Sequence, residues 1–329
     1  MTRSASLPGE SLNAAWRAAL TQAEVEALLK PNDWRSWISV GINWGLIAAS
    51  FALVAVYPNL GTALVAVLVI GARQLGCAVL MHEAAHRTLF SDRRLNDWAG
   101  QWLCAYPIGS DLESYRGYHL QHHARTGADD DPDIGLARPF PITRKSLWRK
   151  LRRDLSGRTG LKFAQAVWKR SFARAVRDPR AARAARGLLL TNGLLLGALV
   201  WAGRPELYAL WAVAWLTSYT LSTRIRSIAE HAMVPDRDDP LGNTRTTLAS
   251  GWERLLLAPN RVNYHLEHHL LMTVPHYRLP RMHALLRERG VRGCVDRGYL
   301  GVLRRAASRP EGGDGAVDDE AELARVNGL

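Results

Sequence analysis

The sequence predicts an all-α integral membrane protein with about four transmembrane helices and a cytoplasmic helical cap. Three observations carry this. Apolar runs of near-spanning length occupy residues 37–57, 60–80, 187–201 and 206–221, and about twenty residues cross the hydrocarbon as a helix. Eight of the eleven histidines fall in three clusters, each beside an apolar segment. Positive charge is also lopsided: the formal net charge is +13, and residues 144–186 carry fifteen Lys and Arg against only Asp154 and Asp178.

The N-terminal segment, 1–33, reads as cytoplasmic. Its first nine residues are polar and expected to be loose, without the charged start, apolar core and small-residue site of a signal peptide. Ser11 is placed to cap an amphipathic surface helix running to Lys30, which Pro31 ends. Trp34, Trp37 and Trp44 stand toward the start of the first apolar run, where aromatic rings favour the interface. After the short turn Pro58-Asn59 the second run returns and delivers His82 and His86 past its end. Arg73 and Gln74 within it must face protein or a cavity, because polar groups at membrane depth seldom face lipid.

Residues 98–108 are apolar but too short to span. The acid cluster from Asp129 to Asp133 reads as a solvated turn. The basic segment beyond Pro141 is interleaved with Trp148, Phe163, Trp168 and Phe172, a mixture that suits helices lying on an anionic leaflet better than a nucleic-acid surface. The third run borrows length from about Ala182, and residues 202–205 turn it into the fourth. With four spans the outer connections hold one Arg, so the termini and all three histidine clusters belong on the cytoplasmic side. Cys77, Cys104 and Cys294 are scattered and form no disulfide or zinc framework. Beyond Arg309 the chain is rich in Gly, Asp and Glu and expected to be disordered.

The clusters are His82-Glu83-Ala84-Ala85-His86, then His119-Leu120-Gln121-His122-His123, then His265-Leu266-Glu267-His268-His269. Helical neighbours at i+3 and i+4 share a face, so each cluster would point as one group. Adjacent imidazoles pack poorly and repel when charged, which favours a metal. Neutral imidazole suits iron, zinc and copper, and eight or nine ligands suit two ions better than one. His276 and His283 lie outside the clusters and are expected at the surface. Asn263 would cap a helix or orient a ligand.

On these three clusters the chain resembles the membrane fatty acid desaturase family, whose signature is HX(3,4)H, HX(2,3)HH and (H/Q)X(2,3)HH in that order. The resemblance runs from about Trp34 to about Arg289 and gives a desaturase domain over 34–290 with a tail over 291–329. It implies a di-iron centre that uses molecular oxygen against an unactivated C–H bond of a fatty acyl chain or a sphingolipid-like base. Desaturases often place another histidine between the fourth span and the last box, and His231 is the only one available. The implied ligand set is therefore His82, His86, His119, His122, His123, His231, His265, His268 and His269. Glu230 is the weaker candidate, since acids more often hold a ligand's second nitrogen.

The same boxes serve hydroxylases and ketolases of hydrophobic substrates such as carotenoids. A non-catalytic membrane protein that binds metal is the reading from another class. No haem-domain, iron–sulfur or nucleotide motif accompanies the boxes, so electrons are expected from a separate ferredoxin or small haem protein. The expected setting is a bacterial-type inner membrane.

Overall fold

A computed structural model describes residues 16–311. Ser11, the loose start and most of the acidic C-terminal tail lie outside them. The architecture is helical, with one two-stranded parallel pair, β1 (Thr246–Leu248) and β2 (Val295–Arg297). The expected N-terminal helix is interrupted: Thr21 accepts a hydrogen bond from Glu24 N and starts α1 (Gln22–Leu29) afresh.

Three helices are long and apolar enough to cross a membrane: α2 (Asp33–Val56), α3 (Leu60–Ala85) and α9 (Pro179–Trp201). Their starts are written in the sequence. Asn32 and Asn59 cap α2 and α3, accepting from Arg35 N and Thr62 N. Asp178 caps α9, with Pro179 in the first turn where its missing N–H costs nothing. The fourth expected span is not one helix. A 3-10 turn at Pro205–Leu207 leads into α10 (Tyr208–Leu216), and Thr217, at φ −122° and ψ −81°, breaks it from α11 (Ser218–His231).

The break lies where α3 comes closest. A Cβ on Gly71 would collide with the Ser218 side chain and stand 2.7 Å from Tyr219 N, and Ser218 Oγ donates to Val67 O at 2.6 Å. Small residues let membrane helices approach in this way. Gly71→Val is expected to destabilise the fold by about 1–3 kcal/mol through overpacking, read as a lower thermal midpoint in detergent; an unchanged midpoint would show that the contact yields freely.

Arg73 and Gln74 are buried against protein, as their depth requires. Gln74 Nε2 donates to Trp211 O at 3.0 Å, and Arg73 donates to Leu255 O in α12 (Gly251–Leu256). Trp44 and Trp211 stack at 6.0 Å within a core of Ile47, Phe51, Ile70 and Leu207.

The remaining helices build the end of the molecule toward which α3 and α11 run. They are α4 (Arg93–Ala99), continued as a π turn and a 3-10 turn to Ile108, α5 (Leu112–Arg125), α6 (Ile134–Ala137), α7 (Arg144–Leu155) and α8 (Arg158–Val167). After α11 follow α12, α13 (His265–Leu270), α14 (Leu279–Glu288) and α15 (Tyr299–Ala306). α14 packs its apolar face on α1 through Leu279, Met282, Leu286, Val25 and Leu28.

Candidate metal centre

Two of the four helices that supply the histidines are fixed by arginines at their C-terminal ends. α3 ends at Ala85 with His86 as its cap, and its last carbonyls are taken by Arg116 of α5: Nη2 donates to Ala84 O at 2.9 Å and Nε to Ala85 O at 3.0 Å. One side chain thereby ties the first cluster to the second, with Asp97 holding the guanidinium from α4 at 2.5 Å. α11 is closed in the same manner. Arg245, buried, donates to Ala229 O and Ala232 O at 2.9 Å each, fixing the turn that presents His231.

The nine histidines converge. Donor nitrogens of His82, His86, His119, His123 and His268 form one group and those of His122, His231, His265 and His269 a second, the atoms within each lying no more than 4.8 Å apart. The groups adjoin: the rings of His123 and His269 stack at 4.2 Å. The partition crosses the sequence clusters: the i+4 partners His82 and His86, His119 and His123, and His265 and His269 each share a group, whereas i+1 and i+3 neighbours divide between the two. His122 and His123 therefore serve different groups, as do His268 and His269.

The donor chemistry asks for cations. His119 Nε2 stands 2.9 Å from His86 Nε2 and 3.0 Å from His123 Nε2, and His123 Nε2 is a further 3.0 Å from His268 Nε2. In the other group His265 Nε2 faces His231 Nε2 at 2.8 Å and His269 Nε2 at 3.1 Å. A neutral imidazole has one N–H, so such chains leave lone pairs aimed at one another. Both nitrogens of His82 and Nδ1 of His268 are buried without a hydrogen-bond partner among the described residues. Burial holds the imidazoles of His119, His123, His265, His268 and His269 well below the usual histidine range, with neighbouring rings adding to it. They stay neutral, the form that binds metal.

Outer partners select the nitrogen that points inward. His122 Nδ1 lies 2.7 Å from Asp131 Oδ1, so Nδ1 carries the proton and Nε2 is left as donor. Burial lowers the His122 pKa, but this bond and the carboxylates of Asp133 and Glu230 outweigh it and raise it overall. Thr126 Oγ1 gives its proton to His122 O at 2.8 Å and so accepts from His269 Nδ1 at 3.2 Å. Glu230 Oε1 stands 3.7 Å from His265 Nδ1 and is paired with Arg226 Nε at 2.6 Å.

Three expectations change here. Asp131 is no part of a solvated turn: it is buried, and it also accepts from Gly127 N and Asp133 N at 3.0 and 2.9 Å. His276 and His283, expected at the surface, are buried at 3% and 8% exposure. Asn263 donates to Thr247 O at 2.9 Å and so secures β1. Arg116 and Arg245 gave no sequence signal, because their carbonyl partners are backbone atoms brought near only by the fold.

Comparison with known proteins follows the same line. A family model described as fatty acid desaturase matches residues 58–297. The chain is 27% identical over 277 residues to dihydrorhizobitoxine desaturase of Bradyrhizobium elkanii, covering 76% of this chain and 75% of that protein. It is also similar to β-carotene ketolases from two strains of Paracoccus sp. One is 25% identical over 252 residues, covering 74% of this chain and 86% of the ketolase. The other is 28% identical over 246 residues, covering 72% and 83%.

Proposed function

Because the chain belongs to the fatty acid desaturase family, we propose that it is a membrane-bound, oxygen-dependent desaturase of lipid acyl chains, working at a pair of irons held by the two histidine groups. The single observation that carries this reading is the sorting of nine imidazoles into a group of five and a group of four. The bound iron pair would supply, with molecular oxygen, the oxidant for an unactivated C–H bond, which no side chain can. In desaturation two hydrogens leave neighbouring carbons, and dioxygen takes them up with two electrons and two protons to give two waters.

The residues' own part is to hold, orient and exclude. His82, His86, His119, His123 and His268 would hold one ion and His122, His231, His265 and His269 the other. Asp131 and Thr126 fix the tautomers of His122 and His269, and burial keeps bulk water from quenching the reaction. The desaturase domain takes in 34–290. α2, α3, α9 and the broken α10–α11 segment cross the membrane, with termini and site on the cytoplasmic side where Lys and Arg accumulate. A separate acidic ferredoxin or small haem protein would bring the electrons to that basic face.

A second reading, ketolase or hydroxylase of a hydrophobic substrate, is favoured by the carotenoid ketolase relatives. The lipid mass profile of cells expressing the wild type beside His122→Ala separates the two. Lipids lighter by two hydrogens only with the wild type are the expected result. A product carrying an added oxygen would overturn desaturation in favour of the second reading.

A further inference from the structure

Nine of the eleven histidines form the donor groups, and the remaining two, His276 and His283, stand one step behind them. Each meets a buried glutamate that is the chain neighbour of a donor. His276 Nδ1 is 3.3 Å from Glu83 Oε2, beside His82, and His283 Nδ1 is 2.6 Å from Glu267 Oε1, beside His268. Both glutamates are 2% exposed. A buried carboxylate is costly unless it is bonded, and it is itself a good oxygen ligand for a divalent ion. Left loose next to a metal, it would turn inward and displace an imidazole.

We propose that His276 and His283 are positioning residues of the metal centre, which hold Glu83 and Glu267 away from the donor groups and so fix the helices that carry His82 and His268. The inference rests on the two groups holding iron, as proposed above. The anchors of this outer layer come from separate parts of the chain. His276 Nε2 lies 2.9 Å from Ser39 Oγ on α2, and α14, which bears His283, is packed on α1. The two contacts are not equal. Glu83 keeps Thr88 Oγ1 at 3.1 Å and the backbone N–H of His276 at 2.9 Å whatever side chain stands at 276. Among the described residues Glu267 keeps only Thr246 Oγ1. His283 Nε2 has no hydrogen-bond partner among the described residues, so the Nδ1 contact is what this imidazole contributes.

The test uses full-length protein from iron-supplied cells and reads iron per chain, retention against a chelator, the Mössbauer spectrum and the thermal midpoint of metal-free protein. His283→Leu is expected to weaken iron retention about tenfold or more, the size of effect seen for outer partners of metal ligands, and to alter the spectrum. His276→Leu should do less. His283→Asn, whose amide nitrogen takes the place of Nδ1, should keep both iron and spectrum. Wild-type retention and spectrum in His283→Leu would overturn the inference, as would a loss confined to the metal-free midpoint. If His283→Leu fails to fold, Glu267→Gln combined with His283→Leu carries the test, because there is then no carboxylate to restrain; iron loss in that pair would overturn it. Iron is measured without turnover, so a wrong substrate reading leaves the result intact, whereas a wild type that takes up no iron overturns both readings.

Discussion

His122→Ala is expected to lose turnover by more than about 100-fold, the upper end of what losing a mere supporting partner costs a metal site, and to lose iron from the four-histidine group. The protein should still insert and fold, because His122 lies on α5, outside α2, α3 and α9. Three features make this position decisive. Its Nδ1 is committed to Asp131, so only Nε2 is free to bind metal. Its ring meets those of two other members of its group, His231 and His269, at 4.8 and 5.1 Å. It is also buried, with 1% of its surface exposed. Iron analysis of purified protein, with turnover on the lipid class found by mass profile, checks it. Full activity in the variant would remove His122 from the metal site.

Eight of the nine donor-group histidines were legible in the sequence because i+3 and i+4 spacing is a helical property that needs no tertiary knowledge. His231 was reached through family resemblance alone, since a single histidine after an apolar run carries no spacing signal. How the imidazoles divide was not legible. It depends on the angles at which α3, α5, α11 and α13 meet, and those are set by contacts such as Arg116 on the end of α3 and Gly71 against Ser218. His276 and His283 were misplaced for a related reason. Their setting, behind Pro275 and in a basic amphipathic stretch, looks like surface, yet their partners Glu83 and Glu267 lie 193 and 16 residues away. Asp131 was hidden by the three acids around it, Asp129, Asp130 and Asp133, which made a buried carboxylate look like a solvated run.

The same difficulty applied to the fourth span. Residues 206–221 are apolar enough to suggest one continuous helix, and the sequence contains no proline there after Pro205 to warn of a break. The interruption at Thr217 coincides with two close approaches from outside the segment, Gly71 of α3 against Ser218 and Gly160 of α8 against Leu216. Its consequence reaches the site, because the break aims α11 so that Glu230 and His231 arrive beside α13.

Arg226→Leu is expected to destabilise the protein by about 3–5 kcal/mol, the cost of stranding one partner of a buried ion pair. Arg226 Nε meets Glu230 Oε1 at 2.6 Å one turn along α11, with side-chain exposures of 19% and 4%. That carboxylate oxygen in turn stands 3.7 Å from His265 Nδ1, so the loss should reach the four-histidine group as weaker iron retention. Stability and metal binding can be separated by replacing both partners. When a buried pair is exchanged for apolar side chains of similar volume, stability is often regained. Arg226→Leu with Glu230→Leu is therefore expected to recover most of the thermal midpoint, while iron retention stays low because His265 has lost the carboxylate beside Nδ1. Recovery of both would reduce the pair to a strut of α11. Recovery of neither would mean that Arg226 supports α11 through contacts other than Glu230. The informative outcome is the split, since only a carboxylate that acts on His265 can leave a stable protein with a weakened metal site.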